Sequence, residues 1–420
     1  MFIPGKGEEK SDVMEKNTAY REAERLIEVA RLEGVTELDL SDIGLSELPE
    51  SIGSLSQLKS LYLSENELMR LPKSLGQLTQ LQTLDLARNH LPILTEVLGD
   101  LTQLRSLDLM GNALVELPEF IGAFSQLRSL NLVSNQLVHI PPSIGKLKNL
   151  QELQLSYNPI ARWPKELGWL TGLRSLEIAS TGLNEIPPDW KSLQGLESLN
   201  LSFNHLQTLP EWLGTWTELR SLDLSFNQLK ELPATLGSFI QLTSLDIQSN
   251  QLQSLPPQIC DLVNLTSLLA YNNQLTHLPE ALGGLAALTT LGMAGNSICQ
   301  LPESIGELQN LKQLIFNLDP DQPVPLQVFP AGLRGCRLLE QLTFVACELR
   351  SLPHWIGELT QLKSLNVSHN NLTDLPPSLG TLDNLKTLNL SNNPLRSELE
   401  VLWERGPNAI KSYLQNSAKG

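Results

Sequence analysis

The sequence predicts an α/β solenoid, a one-dimensional stack of short parallel strands and turns, on three observations. The first is a spacing of 23 residues. Asn66, Asn89, Asn112, Asn135 and Asn158 stand one period apart, Thr181 takes the next slot, and Asn204, Asn227, Asn250, Asn273 and Asn296 follow, with Asn370 and Asn393 closing the series. The second is an apolar frame locked to that beat, as in Leu219-Arg-Ser-Leu222-Asp-Leu224-Ser-Phe-Asn227-Gln-Leu229-Lys-Glu-Leu232-Pro233. The third is that prolines and glycines keep the same register (Pro118 with Gly122, Pro233 with Gly237), so they punctuate a repeat instead of marking disorder.

Each element follows from this frame. In the unit from Leu104 to Gln126, Leu107 and Leu109 alternate with Ser106, Asp108 and Met110, the period-two pattern of a strand. Leu114, Leu117, Ile121 and Phe124 bring the chain back across the interior. One unit cannot bury these side chains alone. A neighbour on each side buries them at about 1.5–3 kcal/mol per large side chain, against about 1–2 kcal/mol per residue of backbone ordering, so only a stack of several units is stable. Proline after the apolar residue that closes the turn fixes an outer segment that needs no ladder donor. The asparagine amide has donors and an acceptor, so it can satisfy backbone groups where the chain leaves the strand.

The flanks read as caps. Residues 1–16 are polar and read as a loose tail. Residues 17–34 read as an amphipathic helix, with Tyr20, Ala23, Leu26, Ile27 and Ala30 on one face and Gly34 as its stop. The repeats occupy 35–396 in about sixteen registers, and 397–420 reads as a helical cap opening on a capping box, Ser397 to Glu400. Both caps would cover sheet edges that otherwise template aggregation.

These frames resemble the leucine-rich repeat family over about residues 35–396. The resemblance implies a horseshoe with a parallel sheet on its concave face and 3-10, helical or irregular turns on its convex face. It also implies a structural ladder of side chains at Asn66, Asn89, Asn112, Asn135, Asn158, Asn204, Asn227, Asn250, Asn273, Asn296, Asn370 and Asn393. Four slots depart from it: Ile43, Thr181, Asp319 and Cys347. The Leu-Pro-x-x-Ile/Leu-Gly-x-Leu pattern is similar to the repeats of bacterial Roco proteins and of Ras-binding scaffold proteins. The segment Asn393-Pro-Leu395 … Gly406-Pro-Asn-Ala-Ile410-Lys-Ser-Tyr413-Leu414 looks like the one that closes such arrays.

Composition narrows the function. A net charge of −16 disfavours nucleic acid and anionic lipid, which attract basic surfaces. No uninterrupted apolar run is long enough to span a membrane, and Met1-Phe-Ile-Pro-Gly-Lys6 lacks the apolar core of a signal peptide. Cys260, Cys299, Cys336 and Cys347 lie within the repeats and not in the caps, which favours a reducing cytoplasm and fits no zinc spacing. The Asn-x-Ser/Thr triplets at Asn200, Asn264, Asn366, Asn371 and Asn389 read as incidental to the repeat.

No phosphate-binding loop or His-Glu-x-x-His motif is present, and His90, His139, His205, His277, His354 and His369 are scattered. The best catalytic candidates are carboxylates in equal slots of adjacent repeats, Asp85 with Asp108 and Asp223 with Asp246. Strands about 4.8 Å apart would bring each pair close enough to raise one pKa. An open sheet excludes little water, however, and Arg105, Arg128, Arg174 and Arg220 stand in a neighbouring slot. The reading is therefore no enzyme, no cofactor and no metal.

What remains is a protein-binding face. Outward strand residues are free of core duty and therefore free to carry recognition. Tyr157, Phe203 and Phe226 take slots that are polar in other repeats, and either face a partner or tuck against neighbouring units. Further along, the central outward slots become Leu269, Gly292, Ile315 and Thr343, with Tyr271 and Val345 beside them. There too an insertion, Asn317 to Val328 and including Asp319, lengthens a repeat from 23 to 28 residues; it either belongs to the partner site or covers it. The expected role is a non-catalytic cytoplasmic scaffold for a protein partner, with a small GTPase or signalling protein as the partner class. The alternatives are the regulatory portion of a Roco-like GTPase and an effector or immune-type sensor.

Overall fold

The computed structural model describes residues 8–317, 326 and 328–417, the side chains of 8–17 and 417 excepted. It divides into two compact units, Met1–Asn204 and His205–Gly420.

The first unit opens with helix α1 (Glu8–Glu33), which begins upstream of the segment that the apolar pattern marks. Residues 8–16, expected in a loose tail, are helical. Glu, Lys and Met favour the helix without any apolar stripe to reveal it. Ala19, Ala23, Ile27 and Ala30 are buried, while Tyr20 and Leu26 lie at the margin. Eight strands follow: β1 (Glu37–Asp39), β2 (Ser60–Tyr62), β3 (Thr83–Asp85), β4 (Ser106–Asp108), β5 (Ser129–Asn131), β6 (Glu152–Gln154), β7 (Ser175–Glu177) and β8 (Ser198–Asn200). They pair parallel in chain order, leucine facing leucine, as in Leu84↔Leu107 and Leu107↔Leu130. Each strand buries its central leucine and turns its two flanking residues outward.

The second unit repeats the plan with β9 (Ser221–Asp223), β10 (Ser244–Asp246), β11 (Ser267–Leu269), β12 (Thr290–Gly292), β13 (Gln313–Asn317), β14 (Gln341–Val345), β15 (Ser364–Asn366) and β16 (Thr387–Asn389). Strands β13 and β14 flank the insertion and run to five residues, with the register extended to Asn317↔Val345. Their cores carry Phe316 and Phe344, 5.3 Å apart between ring centroids, and Phe329 closes on Phe344 at 5.1 Å. Helices α2 (Ser397–Glu404) and α3 (Pro407–Ser417) end the unit. Leu399, Ile410 and Leu414 are buried, and Lys411 Nζ donates to the carbonyls of Leu382 and Leu385. The expected capping box does not form. Arg396 is the residue with extended backbone at the helix start, so the Ser397 hydroxyl sits one residue too late, and α2 has no side-chain cap.

Proline and glycine set the turns on the side away from the strands. Pro118, with φ −74° and ψ 156°, starts the 3-10 turn Glu119–Ala123, where its missing N–H is not needed. A Cβ on Gly122 would stand 2.9 Å from both the Ser143 Cβ and the Ser143 carbonyl oxygen, so glycine lets adjacent turns close up.

Candidate functional site

The twelve asparagines act alike. Asn158 is buried; its Nδ2 donates to the carbonyls of Leu132 (2.9 Å), Leu155 (2.9 Å) and Ser156 (3.3 Å), and its Oδ1 accepts from Leu137 N at 3.0 Å. One side chain thus ties its own turn to the turn of the preceding rung. It is the sole partner, among the described residues, of the Leu155 carbonyl and the Leu137 N–H, while the Leu132 carbonyl also accepts from Asn135 and the Ser156 carbonyl from Ser134 N. The departing slots make do with less. Thr181 Oγ1 donates to the Ile178 carbonyl at 3.0 Å, Cys347 Sγ donates to the Val345 carbonyl at 3.3 Å, and the Ile43 N–H is met by Asn66 Oδ1 at 3.3 Å. Asp319 lies outside the described residues, as do residues 318–325 and 327 of the insertion.

The residue before each asparagine takes a left-handed backbone, φ 59° at Tyr157, 55° at Phe203 and 53° at Phe226. Glycine fills the same slot at Gly111 and Gly295. A bulky side chain there costs about 1–2 kcal/mol. These three aromatics are exposed, at 56%, 48% and 41%, and not packed into the core. The strain is therefore not repaid by core burial.

On the strand face the structure brings each carboxylate pair into register, Asp85↔Asp108 in the first unit and Asp246↔Asp223 in the second. The Asp108 carboxyl is held above the usual carboxylate range by burial, opposed by hydrogen bonds from Met110 N and Asn131 Nδ2, with the Asp85 charge a smaller upward influence. Burial likewise lifts Asp246, the Gln248 N–H opposes it, and Asp223 adds to the lift. Arg174, expected to offset this acidic line, instead donates to the Gly195 carbonyl at 3.0 Å and pairs with Glu197.

Beyond Asp246 the same row turns apolar: Asp246↔Leu269, Leu269↔Gly292 and Gly292↔Ile315 are successive register partners, and Ile315↔Thr343 follows. Gly292 has a role that the sequence reading left unassigned. A Cβ there would overlap the Tyr271 phenol, so glycine is the seat that lets the Tyr271 ring lie across the next strand. Burial raises the Tyr271 hydroxyl pKa, with the Asp246 charge adding to the shift. Leu269, Tyr271, Ile315 and Val345 are all partly exposed. Tyr157 and Phe203 are on the first unit, and Phe226 is on the second.

A further row was missed. Met69, Pro92, Val115, Val138 and Ala161 occupy one slot in five successive repeats of the first unit, and all are exposed. Their 23-residue spacing was the available signal, and the second unit has Gln207, Lys230, Gln253 and Thr276 in that slot.

All four cysteines are free, and burial pushes the Cys336 thiol up to about 12. No helix among the described residues is long and apolar enough to cross a membrane.

Family models described as leucine rich repeat match residues 171–229 and 240–298, a leucine-rich repeat region matches 23–117, two-copy leucine rich repeats match 217–262 and 360–402, and a single repeat matches 126–147. No curated protein matches the chain. Among solved structures, a leucine-rich repeat protein of Leptospira interrogans is 34% identical with a TM-score of 0.84, the match covering 90% of this chain and 96% of that one. The plant peptide hormone receptor RGFR1, solved in complex with RGF2, is 27% identical with a TM-score of 0.65, over 88% of this chain and 68% of that one. An internalin of Listeria monocytogenes, 22% identical with a TM-score of 0.64, over 86% of this chain and 88% of that one, shares the fold alone. With the repeat frame, the in-register parallel strands and these matches in hand, the chain belongs to the leucine-rich repeat family.

Proposed function

We propose that this chain is a non-catalytic recognition module that takes a protein partner on its strand face, centred in the second unit on Leu269, Tyr271, Ile315 and Val345. One observation carries the reading. Outward slots that are polar through most of both units turn apolar at Leu269, Gly292 and Ile315, and a glycine is placed where it seats an aromatic ring on the surface. Neither feature serves the core, and apolar and aromatic groups on an otherwise polar face are what protein interfaces use. The left-handed, exposed Tyr157 and Phe203 of the first unit and Phe226 of the second are further contact candidates. Asp319 stays a candidate on sequence grounds. The receptor RGFR1 was solved with RGF2 bound, which supports a protein or peptide ligand for this chain as well.

The similarity to Roco and Ras-binding repeats favours a small GTPase or another signalling protein as partner, and four free cysteines favour a cytoplasmic address. The test is affinity capture from the native host with the full chain and with Leu269→Asp/Ile315→Asp. Loss of a specific partner in a variant with an unchanged circular-dichroism melt supports the site. Capture of the same partner by both forms at equal yield refutes it.

A further inference from the structure

The row of register partners Asp223, Asp246, Leu269, Gly292 and Ile315 crosses five strands, so at about 4.8 Å per rung it is about 19 Å long. Its two halves differ in kind. At one end two carboxylates face each other in register, and neither forms an ion pair among the described residues. Among the described residues Asp246 is held by Gln248 alone, through its backbone N–H at 3.0 Å and its Nε2 at 2.9 Å, and Asp223 accepts from Ser225 N at 2.9 Å. At the other end lies the apolar stretch, with the Tyr271 ring on Gly292 and no hydrogen bond to its hydroxyl among the described residues.

In the first unit, Asp108 in the equivalent position accepts from Asn131 Nδ2 at 3.0 Å across the sheet. In the second unit the residue in that next slot is Leu269, which has nothing to donate, and the side-chain amide on Asp246 comes instead from Gln248 of its own rung. These donors are neutral, and with no cation on either carboxylate among the described residues the acidic end is left for an outside cation, and the apolar end for an outside hydrophobe.

Resting on the protein-binding reading above, we infer that the occupant is an extended peptide segment of the partner whose Lys or Arg sits on the Asp223–Asp246 pair and whose apolar side chain drops onto the Tyr271–Gly292 seat. The centre of the carboxylate pair lies about 12 Å, or two and a half rungs, from Gly292. An extended chain advances about 3.3 Å per residue, so the cationic and apolar side chains are about four residues apart. Apolar contact supplies the affinity, and the charge pair sets polarity and register along the row.

The experiment is selection of a random dodecapeptide phage library on the full-length chain, then binding of the selected synthetic peptides by fluorescence anisotropy. The expected peptides carry Lys or Arg about four residues from an aromatic or aliphatic residue. Binding to Asp223→Asn/Asp246→Asn falls at least about tenfold, equivalent to about 1.4 kcal/mol. It falls similarly when salt rises from about 0.05 to about 0.5 M, where the Debye length shrinks to a few ångström. The control pair Asp85→Asn/Asp108→Asn leaves binding unchanged. Gly292→Ala, a small change that unseats Tyr271, also weakens binding and does not depend on Leu269 variants folding. Selected peptides that lack the cation, or that bind the Asp223→Asn/Asp246→Asn protein unchanged while still losing affinity to Gly292→Ala, overturn the charge inference and leave the face as a binding site. Peptides insensitive to every one of these changes, or no enrichment at all, overturn both.

Discussion

The two units share a backbone plan, a leucine core and a carboxylate pair at matching slots, yet their strand faces part company one rung later. After Asp108 the first unit continues with Asn131, Gln154 and Glu177, a polar row in which Asn131 donates to Asp108. After Asp246 the second unit continues with Leu269, Gly292 and Ile315. Nothing in the core requires the change, since Leu130 and Leu268 are buried alike. The fold fixes the inward residues and leaves the outward ones unconstrained, so the difference between units is where specificity has room to reside.

The largest effects test whether the units are equal beneath that difference. Asn158→Ala in the first unit leaves the buried Leu155 carbonyl and the Leu137 N–H without a partner among the described residues. Asn250→Ala in the second orphans the Leu229 N–H, the Leu224 and Ile247 carbonyls still accepting from Asn227 and Asn273. Asn158→Ala should lose about 3 kcal/mol of stability and Asn250→Ala about 2 kcal/mol, since an orphaned buried group costs about 1–3 kcal/mol. Urea melts followed by circular dichroism check this, and a loss confined to one unit would end the claim of equivalence. Next comes an exchange of faces. Giving the second unit the polar row of the first (Leu269→Asn, Gly292→Gln, Ile315→Glu) should weaken partner binding about 100-fold, or about 2.7 kcal/mol. Stability should move little through Leu269 and Ile315, which are half-exposed, while Gln at the buried Gly292 has to displace the Tyr271 ring and carries what loss there is.

How much of this was legible beforehand follows from the same division. Inward positions are repeated in every rung, so Leu107 or Asn112 could be read from spacing alone. The ladder also followed from spacing, because an amide has the donors and the acceptor that a turn between rungs needs. The face was legible only as a place. That Leu269 and Ile315 break the polar row is visible in the sequence, but that Gly292 seats Tyr271 is a contact between rungs and depends on where one ring lies. The aromatics at Tyr157, Phe203 and Phe226 were ambiguous for the same reason: the slot is known, and the side-chain direction is not. The helical stretch Glu8 to Lys16 lacks an apolar stripe, which is the signal that reveals a helix packed on a core.

Smaller effects probe the second unit alone. Gly292→Ala forces the Tyr271 ring off its seat and should weaken binding about tenfold, or about 1.4 kcal/mol, with little change in the melt. All four cysteines are in this unit, so thiol chemistry reports on it selectively. At neutral pH an aromatic disulfide reagent should modify exposed Cys299 quickly. Cys260, Cys336 and Cys347 should react only on unfolding, because they are buried and burial holds the Cys336 thiol protonated. Rapid labelling of Cys336 would mean that the rungs around β13 and β14 open in the native state.

The smallest effect concerns Asp246 and separates stability from binding. Burial, and then the Asp223 charge, hold its carboxyl above the ordinary range despite the Gln248 hydrogen bonds. A carboxyl whose folded pKa is raised binds its proton more tightly when folded. Its stabilising contribution is therefore full below the unfolded value, about 3.9, and is lost as pH rises through the folded one. At pH 7 the ionised group costs stability, so Asp246→Asn should raise Tm slightly, by less than about 2 °C, and the gain should vanish as pH falls below the usual carboxylate range. Asp108→Asn should shift Tm in the same direction, because burial raises that carboxyl too and each carboxylate accepts from one backbone N–H and one side-chain amide. Calorimetry across pH 3 to 8 checks both. A stabilising Asp246→Asn that also weakens peptide binding would show that this carboxylate is retained for recognition at the expense of the fold. A destabilising one would mean that its hydrogen bonds to Gln248 outweigh its burial, and the contrast between the two faces would then be structural in origin.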